Sequence, residues 1–248
     1  MEIQIFQDLA TVAEHAASAG AREIRAAIEA RGRATVVMAS AASQIQMVEA
    51  LLKEPDIKWQ TVRLFHLDEY VGLPIEHPAS FRRFLWERFI RHLALPPREV
   101  NFLNAESNAE EECLRVGNLI RQEPVDVAFI GIGENCHIAF NDPPANFETE
   151  SPFIVVRLDE QCRKQQVGEG WFRSLDGVPH QAISMSVRQI MKSKHVICTV
   201  PDERKAQAVR NSVEGPVSNQ VPASILQEHP HTSLFLDSHS AALLSKHE

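Results

Sequence analysis

Apolar positions along the chain fall into short β-rich runs separated by stretches with helical spacing. Asp8 is placed to cap a helix running to about Arg31, because Leu9, Val12, Ala13, Ala16, Ile24, Ala27 and Ile28 recur on shared faces and Gly32 ends the pattern. Ala34–Ala39 then reads as an apolar strand, Gln44–Lys53 as a helix and Thr61–His66 as the next strand. Ser80–Leu93 looks amphipathic, with Phe81, Phe84, Leu85 and Phe89 at helical spacing. A helix over Ala109–Arg121 leads into an apolar strand at Val125–Ile130. Further strands fit Phe153–Leu158, Ala182–Met185, His195–Val200 and Ser233–Leu236, with helices over Glu203–Val213 and the C-terminal tail. Such alternation predicts an α/β fold with a mainly parallel sheet and helices on both faces. The stretch Asn141–Val178 is the least periodic and holds Pro143, Pro144, Pro152, Gly168, Gly170 and Gly177. It reads either as a loop-rich cover over a site or as an ordinary surface excursion. No repeat, low-complexity tract or Gly/Ser linker divides the chain, so residues 1–248 are expected to form a single domain.

Composition narrows the function. The chain has 25 Lys and Arg against 33 Asp and Glu, a formal net charge of −8. That balance argues against a broad basic face for nucleic acid, and any attraction for a phosphate must be local. No apolar run approaches the roughly 20 residues of a membrane span. The acidic start, MEIQIFQDLA, does not read as a secretory signal. Four scattered cysteines (Cys113, Cys136, Cys162, Cys198) form no CxxC pair and no evident disulfide framework. The expectation is a soluble, cytoplasmic protein without a nucleic-acid or membrane partner.

Ligands of open parallel sheets bind at the carboxyl ends of the strands. Three segments lie there. Ala39–Gln44 (ASAASQ) joins a strand to a helix; its small residues, with Ser40 and Ser43, suit either an anion cradle or a simple capped helix start. It lacks the GxxxxGK[ST] pattern of nucleotide loops. Phe65–Leu73 (FHLDEYVGL) sets Asp68 and Glu69 directly after a strand, where partial desolvation can raise a carboxylate pKa and suit it to carbon-acid chemistry. Two loop carboxylates capping the next turn are the plainer alternative. Gly131–Phe147 (GIGENCHIAFNDPPANF) brings Asn135, His137 and Asp142 close in sequence, either as an acid–base group with a fixed tautomer or as a structural histidine. Cys136 reads as packing. The histidines His229, His231 and His239 read as a solvent-exposed cluster rather than a zinc site.

Taken together, LDEYVGLPIEHPASF, GIGENCHIAFNDP and the later ERKA (Glu203–Ala206) resemble the glucosamine-6-phosphate deaminase/isomerase family over nearly the whole chain. The blocks Asp68–Pro78 and Cys136–Asn141 carry the resemblance. The wider superfamily also holds 6-phosphogluconolactonases and sugar-phosphate-sensing domains, and the long DEYVGL match looks closer to the deaminases. The resemblance implies a Rossmann-like, three-layer α/β/α domain acting on a hexosamine 6-phosphate, with glucosamine 6-phosphate foremost. Ring opening, proton transfer from C2 to C1 and loss of ammonia would give a ketose 6-phosphate. By motif position Asp68 is the proton shuttle, His137 the ring-opening acid/base and Asp142 its assisting carboxylate. Lys205 binds the phosphate, supported by Ser40, Ala41, Ala42, Ser43 and Gln44. Neither a metal nor an organic cofactor is implied, and a homo-oligomer is left open.

The chain departs from that family's pattern at several points. Asn135 stands where the family has an acid, Cys136 where it has glycine, and Asp142 where it has glutamate. An amide can orient the imidazole but carries no charge, and Glu134 next door is a candidate substitute. Ala41 and Ala42 replace a glycine-rich phosphate loop, and a family arginine is replaced near Gly170–Phe172. Two further readings are a sugar-phosphate lactonase, in which Asp68 has no obligatory role, and a sugar-phosphate sensor with weakened catalysis.

Overall fold

A computed structural model describes residues 1–245 and orders the chain as ten strands and seven α-helices among those residues. In chain order these are β1 (Glu2–Phe6), α1 (Leu9–Arg31), β2 (Ala34–Met38), α2 (Ile45–Leu51), β3 (Val62–His66) and β4 (Asp68–Tyr70). They continue with α3 (Phe81–Arg88), β5 (Glu99–Asn101), α4 (Ala109–Ile120), β6 (Val127–Ile130), β7 (Phe153–Arg157) and α5 (Glu160–Gly168). The last are β8 (Gln181–Met185), α6 (Val187–Met191), β9 (His195–Val200), α7 (Ala206–Glu214) and β10 (Thr232–Asp237).

Seven strands form one parallel sheet in the order β1-β10-β9-β6-β2-β3-β5. Alternate residues of each strand enter different cores. Val36 and Met38 of β2 pack with α1 and α2, whereas Val37 and Ala39 join the core that holds α4 and α7. Helices thus cover both faces, giving the expected three-layer α/β/α arrangement. No described helix is long and apolar enough to cross a membrane.

The helix limits follow local chemistry. The Asp8 carboxylate accepts the Thr11 N–H at 2.8 Å, and Gly32 closes α1 at φ +72°. Gln44–Lys53 is shorter than expected: a 3₁₀ turn over Ala42–Gln44 precedes α2. The strands at Phe153–Leu158 and Ala182–Met185 exist but leave the main sheet. The second of them, β8, pairs antiparallel with both β4 and β7 to make a separate three-stranded sheet, β4-β8-β7. Asn141–Val178 is less loop-like than its composition suggests, since it contains β7 and α5. The C-terminal tail forms turns through residue 244 rather than a helix, and residues 246–248 lie outside the described region. His229 is buried, not exposed, with Nε2 bonded to the Ser193 carbonyl at 2.8 Å and Nδ1 near the Thr232 hydroxyl at 3.0 Å.

Sheet order reverses between β2 and β6: β3 and β5 extend one way, and β9, β10 and β1 the other. The crevice at the carboxyl ends of β2 and β6 is therefore the switch point where ligands of such sheets bind. The small sheet and α5 lie over that end, packed through Tyr70, Phe81, Phe140, Cys162 and Phe172.

Close packing of α1 on β6 dictates one residue. A Cβ added at Gly20 would lie 2.2 Å from Phe129 Cζ, on a ring with no solvent exposure. Gly20→Ala should gain ~1 kcal/mol of helix propensity yet lose more to overpacking, of order 1–3 kcal/mol. The expected outcome is a lower urea midpoint for Gly20→Ala; a rise would mean that Phe129 has room to move.

Candidate active site

Strand alternation separates the two neighbouring carboxylates. Glu69 turns into the protein, where its oxygens accept the N–H groups of Tyr70 (3.0 Å), Phe81 (3.2 Å) and Arg82 (3.0 Å), the Ser80 hydroxyl (2.9 Å) and Arg82 Nε (3.3 Å). Asp68 points the other way, into the switch-point cavity, and is 7% exposed. Burial raises the Asp68 carboxyl well above its ordinary pKa, and the neighbouring Glu69 charge adds to the effect. Only one of the pair is thus free to exchange a proton. His66, at the end of β3, accepts the Leu103 N–H at 2.7 Å, and burial drives its pKa down to about 3. It is a neutral structural imidazole.

His137 forms the opposite wall. Its Nδ1 lies 2.7 Å from Asn135 Oδ1 and 3.2 Å from Asp142 Oδ1. A proton on Nδ1 is thereby held by two acceptors, which leaves Nε2 for chemistry. The ring lies against Gly133, where an added Cβ would fall 2.2–2.4 Å from its atoms. The second glycine of GIG therefore makes room for the imidazole.

Asn135 does more than orient the ring. Its Nδ2 donates to Asp142 Oδ1 and to Asp159 Oδ2, each at 2.9 Å, and Asp142 Oδ2 accepts the Asp159 N–H at 3.0 Å. The amide is the donor that lets two carboxylates approach. Burial pushes the Asp142 pKa up, but His137, Asn135 and the Asp159 amide outweigh it and hold the carboxyl below its ordinary value. Asp159 also caps α5 through the Cys162 N–H at 2.6 Å. Glu134 does not take the missing acid's place, since its carboxylate faces Arg204 at 3.7 Å. Cys136 adopts φ +68°, the conformation for which glycine is suited, and its Sγ packs toward the Ala208 carbonyl, as a packing residue should.

Lys205 closes the far end after β9, in a 3₁₀ turn rather than a full helix. Its side chain is 5% exposed and its Nζ stands 3.8 Å from Glu169 Oε1. Burial lowers the ammonium pKa, partly offset by Glu169 and Glu134. Ser40, Ala41, Ser43 and Gln44 line the same cavity, whereas Ala42 does not contribute to its lining. The Ser40 Oγ and Gln44 Oε1 are buried without a hydrogen-bond partner, so the loop presents unspent polar atoms.

The cavity therefore unites Asp68, His137, Lys205 and the Ser40–Gln44 turn, and sets Asn135 and Asp142 behind His137. Sequence reasoning missed Asp159, Gln165, Gln166 and Glu169, which reach the site from β7–α5 and α5. Asp159 could have been found as an Asp preceding a helical run; Glu169 has no such signal. Arg173, the arginine near the replaced family position, lines a separate groove with His77 and Phe172. Among the described residues, His137, Asp142 and Cys162 could each offer one metal-ligating atom, all within 4.8 Å. The His137 and Asp142 atoms are engaged with each other and Asn135, and burial raises the Cys162 thiol pKa far above its ordinary value. That donor set fits an acid–base group better than a metal centre.

Two substitutions test these opposed environments. A carboxyl whose folded pKa is raised costs stability above its unfolded pKa, so Asp68→Asn should stabilise the fold at pH 7 by roughly 1 kcal/mol or more and leave it unchanged near pH 3. Asn135→Asp should do the reverse, replacing a shared donor by a third carboxylate and costing about 1–3 kcal/mol at pH 7, less as the pH falls. Urea unfolding at both pH values gives the comparison, and a destabilised Asp68→Asn would contradict the assigned burial.

A family model described as glucosamine-6-phosphate isomerases/6-phosphogluconolactonase matches residues 7–235. A glucosamine-6-phosphate deaminase of Oenococcus oeni is 35% identical over 84% of this chain and 86% of its own length. One from Bacillus cereus is 34% identical over 94% of this chain and 87% of its own. A solved structure of a monomeric glucosamine-6-phosphate deaminase superposes with a TM-score of 0.89 at 29% identity, covering 98% of this chain and 100% of that one. A 6-phosphogluconolactonase from Thermotoga maritima shares the fold, with a TM-score of 0.78 at 16% identity over 95% of this chain and 99% of that one.

Proposed function

The chain belongs to the glucosamine-6-phosphate isomerase/6-phosphogluconolactonase family, and we propose that it converts glucosamine 6-phosphate and water to a ketose 6-phosphate and ammonia. The observation that carries this reading is Asp68, a carboxylate with no ion-pair or hydrogen-bond partner among the described residues, buried in the same cavity as His137 and Lys205.

His137 moves a proton between the ring oxygen and the C1 hydroxyl as the pyranose opens to the aldehyde. Asp68, as carboxylate, takes the proton from C2 and returns it to C1, while a proton passes from the amino group to O1, leaving an imine at C2 and a hydroxyl at C1. Water adds to that carbon and ammonia leaves, giving the ketose. Burial favours this role, because a raised carboxyl pKa strengthens the base and the enclosed site delays loss of its proton to solvent. Lys205 receives the phosphate, with the hydroxyls of Ser40 and Ser43 as further donors. The chemistry calls on no group beyond these side chains. The four cysteines are free and buried, which suits a reducing cytoplasm.

A lactonase needs an activated water but no base positioned for a C–H bond, so the placing of Asp68 supports the deaminase over that alternative. The hydrogen-bonded set behind His137 likewise supports catalysis over a sensing role.

Asp68→Asn should lower kcat for ammonia release by at least ~10²-fold with little change in phosphate affinity, and Lys205→Ala should raise KM more than it lowers kcat. The acid limb of the wild-type pH–kcat profile should lie above the ordinary aspartate range, activity rising as Asp68 ionises. A coupled ammonia assay reads all three, and an Asp68→Asn enzyme with wild-type turnover would remove the mechanism.

A further inference from the structure

The cation that faces the cavity is not free to meet an anion at its full charge. Lys205 has its nearest carboxylate partner, Glu169, at 3.8 Å, and the two side chains are equally buried at 5% exposure. Glu169 is itself held: Oε1 accepts from Gln165 Nε2 at 2.8 Å and Oε2 from Trp171 Nε1 at 3.3 Å. Gln165 is fixed in turn, because its Oε1 accepts the Glu134 N–H at 2.9 Å. Glu169 therefore occupies a set position at the end of α5, lining the cavity beside Lys205. The other nearby cation, Arg204, is turned outward into a 2.7 Å pair with Asp202. An anion binding at Lys205 thus meets one positive and one negative side chain. The contact at 3.8 Å is too long for a hydrogen bond, so the ammonium's donors stay available to a closer acceptor.

We propose that Glu169 is an affinity-lowering counter-ion of the anion subsite, which an incoming phosphate must supplant at Lys205. This rests on the deaminase reading for the substrate but not for the electrostatics. A small free anion has only Lys205 and the Ser40–Gln44 turn to offset repulsion by Glu169 and binds weakly. A sugar phosphate offsets the same repulsion through contacts of its sugar with Asp68 and His137. The pair Glu169–Lys205 accordingly lowers the affinity of every anion at Lys205, so that only one with further contacts in the cavity binds tightly.

The test uses sulfate, which keeps one charge state across neutral pH, titrated calorimetrically into wild type, Glu169→Gln and the double variant Glu169→Gln/Lys205→Ala. Glu169→Gln should tighten sulfate binding by about 10-fold, equivalent to ~1.4 kcal/mol, and the double variant should lose that gain. Sulfate affinity that is unchanged or weaker in Glu169→Gln overturns the proposal, as does a gain that survives loss of Lys205. Should Glu169→Gln fail to fold, Glu169→Met keeps the volume without the charge and carries the same expectation. Ammonia release from glucosamine 6-phosphate, followed in parallel, separates the two readings. Its absence alongside the sulfate gain overturns the deaminase and leaves the counter-ion standing; its presence without the gain overturns the counter-ion alone.

Discussion

Glu69 anchors the geometry on which the site depends. Its carboxylate collects three backbone N–H groups, a hydroxyl and a guanidinium N–H, and so fastens β4 to the first turn of α3. Arg82 extends the clamp to the Leu73 carbonyl at 3.0 Å and to Glu106 at 2.8 Å. A buried charge with that many partners is stable in place, whereas removing one partner of such a pair typically costs 3–5 kcal/mol. Because adjacent strand residues face opposite ways, anchoring Glu69 inward directs Asp68 outward into the cavity. Pairing of β4 with β8, Asp68 opposite Ser184, fixes the register.

The same cavity keeps its ionisable groups in contrasting states. Asp68 is desolvated beside a like charge and its pKa rises; Asp142 is less deeply buried and surrounded by donors, and its pKa falls. Separation of this kind assigns roles, one carboxyl suited to exchanging a proton and the other to holding an imidazole. Asn135 makes the second environment work, since a neutral donor between Asp142 and Asp159 replaces repulsion with two hydrogen bonds. Asn135 stands where an acid is expected, and the carboxylate it donates to, Asp159 at the N-cap of α5, lies one side chain further from the ring.

Legibility followed the range of the interactions. Helix α1 was readable from end to end because Asp8 and Gly32 cap it locally, and the buried runs of β2, β3, β6, β9 and β10 announced themselves by composition. Strands β4 and β5 were not, being three residues each and set by pairing with distant partners. The antiparallel sheet was hidden for the same reason: β7 and β8 look like any apolar strand, and only tertiary pairing separates them from the parallel sheet. In the site, Asp68, His137, Asp142 and Lys205 sit in motifs that follow strands. Asp159 and Glu169 reach it from α5, inside a stretch whose prolines and glycines masked a helix. A histidine–carboxylate motif can be seen in one dimension; the carboxylate that accepts from its amide, 24 residues away, cannot.

Transfer of one proton by one enclosed carboxylate is the central claim, and an isotope label at the substrate's C2 reads it directly. The protein is incubated in ordinary water with glucosamine 6-phosphate carrying deuterium at C2, and the ketose phosphate is analysed by mass spectrometry and NMR. A single buried shuttle predicts ammonia together with a ketose that retains part of the deuterium at C1. Failure to release ammonia, or a ketose whose C1 carries only solvent hydrogen, would contradict a closed transfer by Asp68.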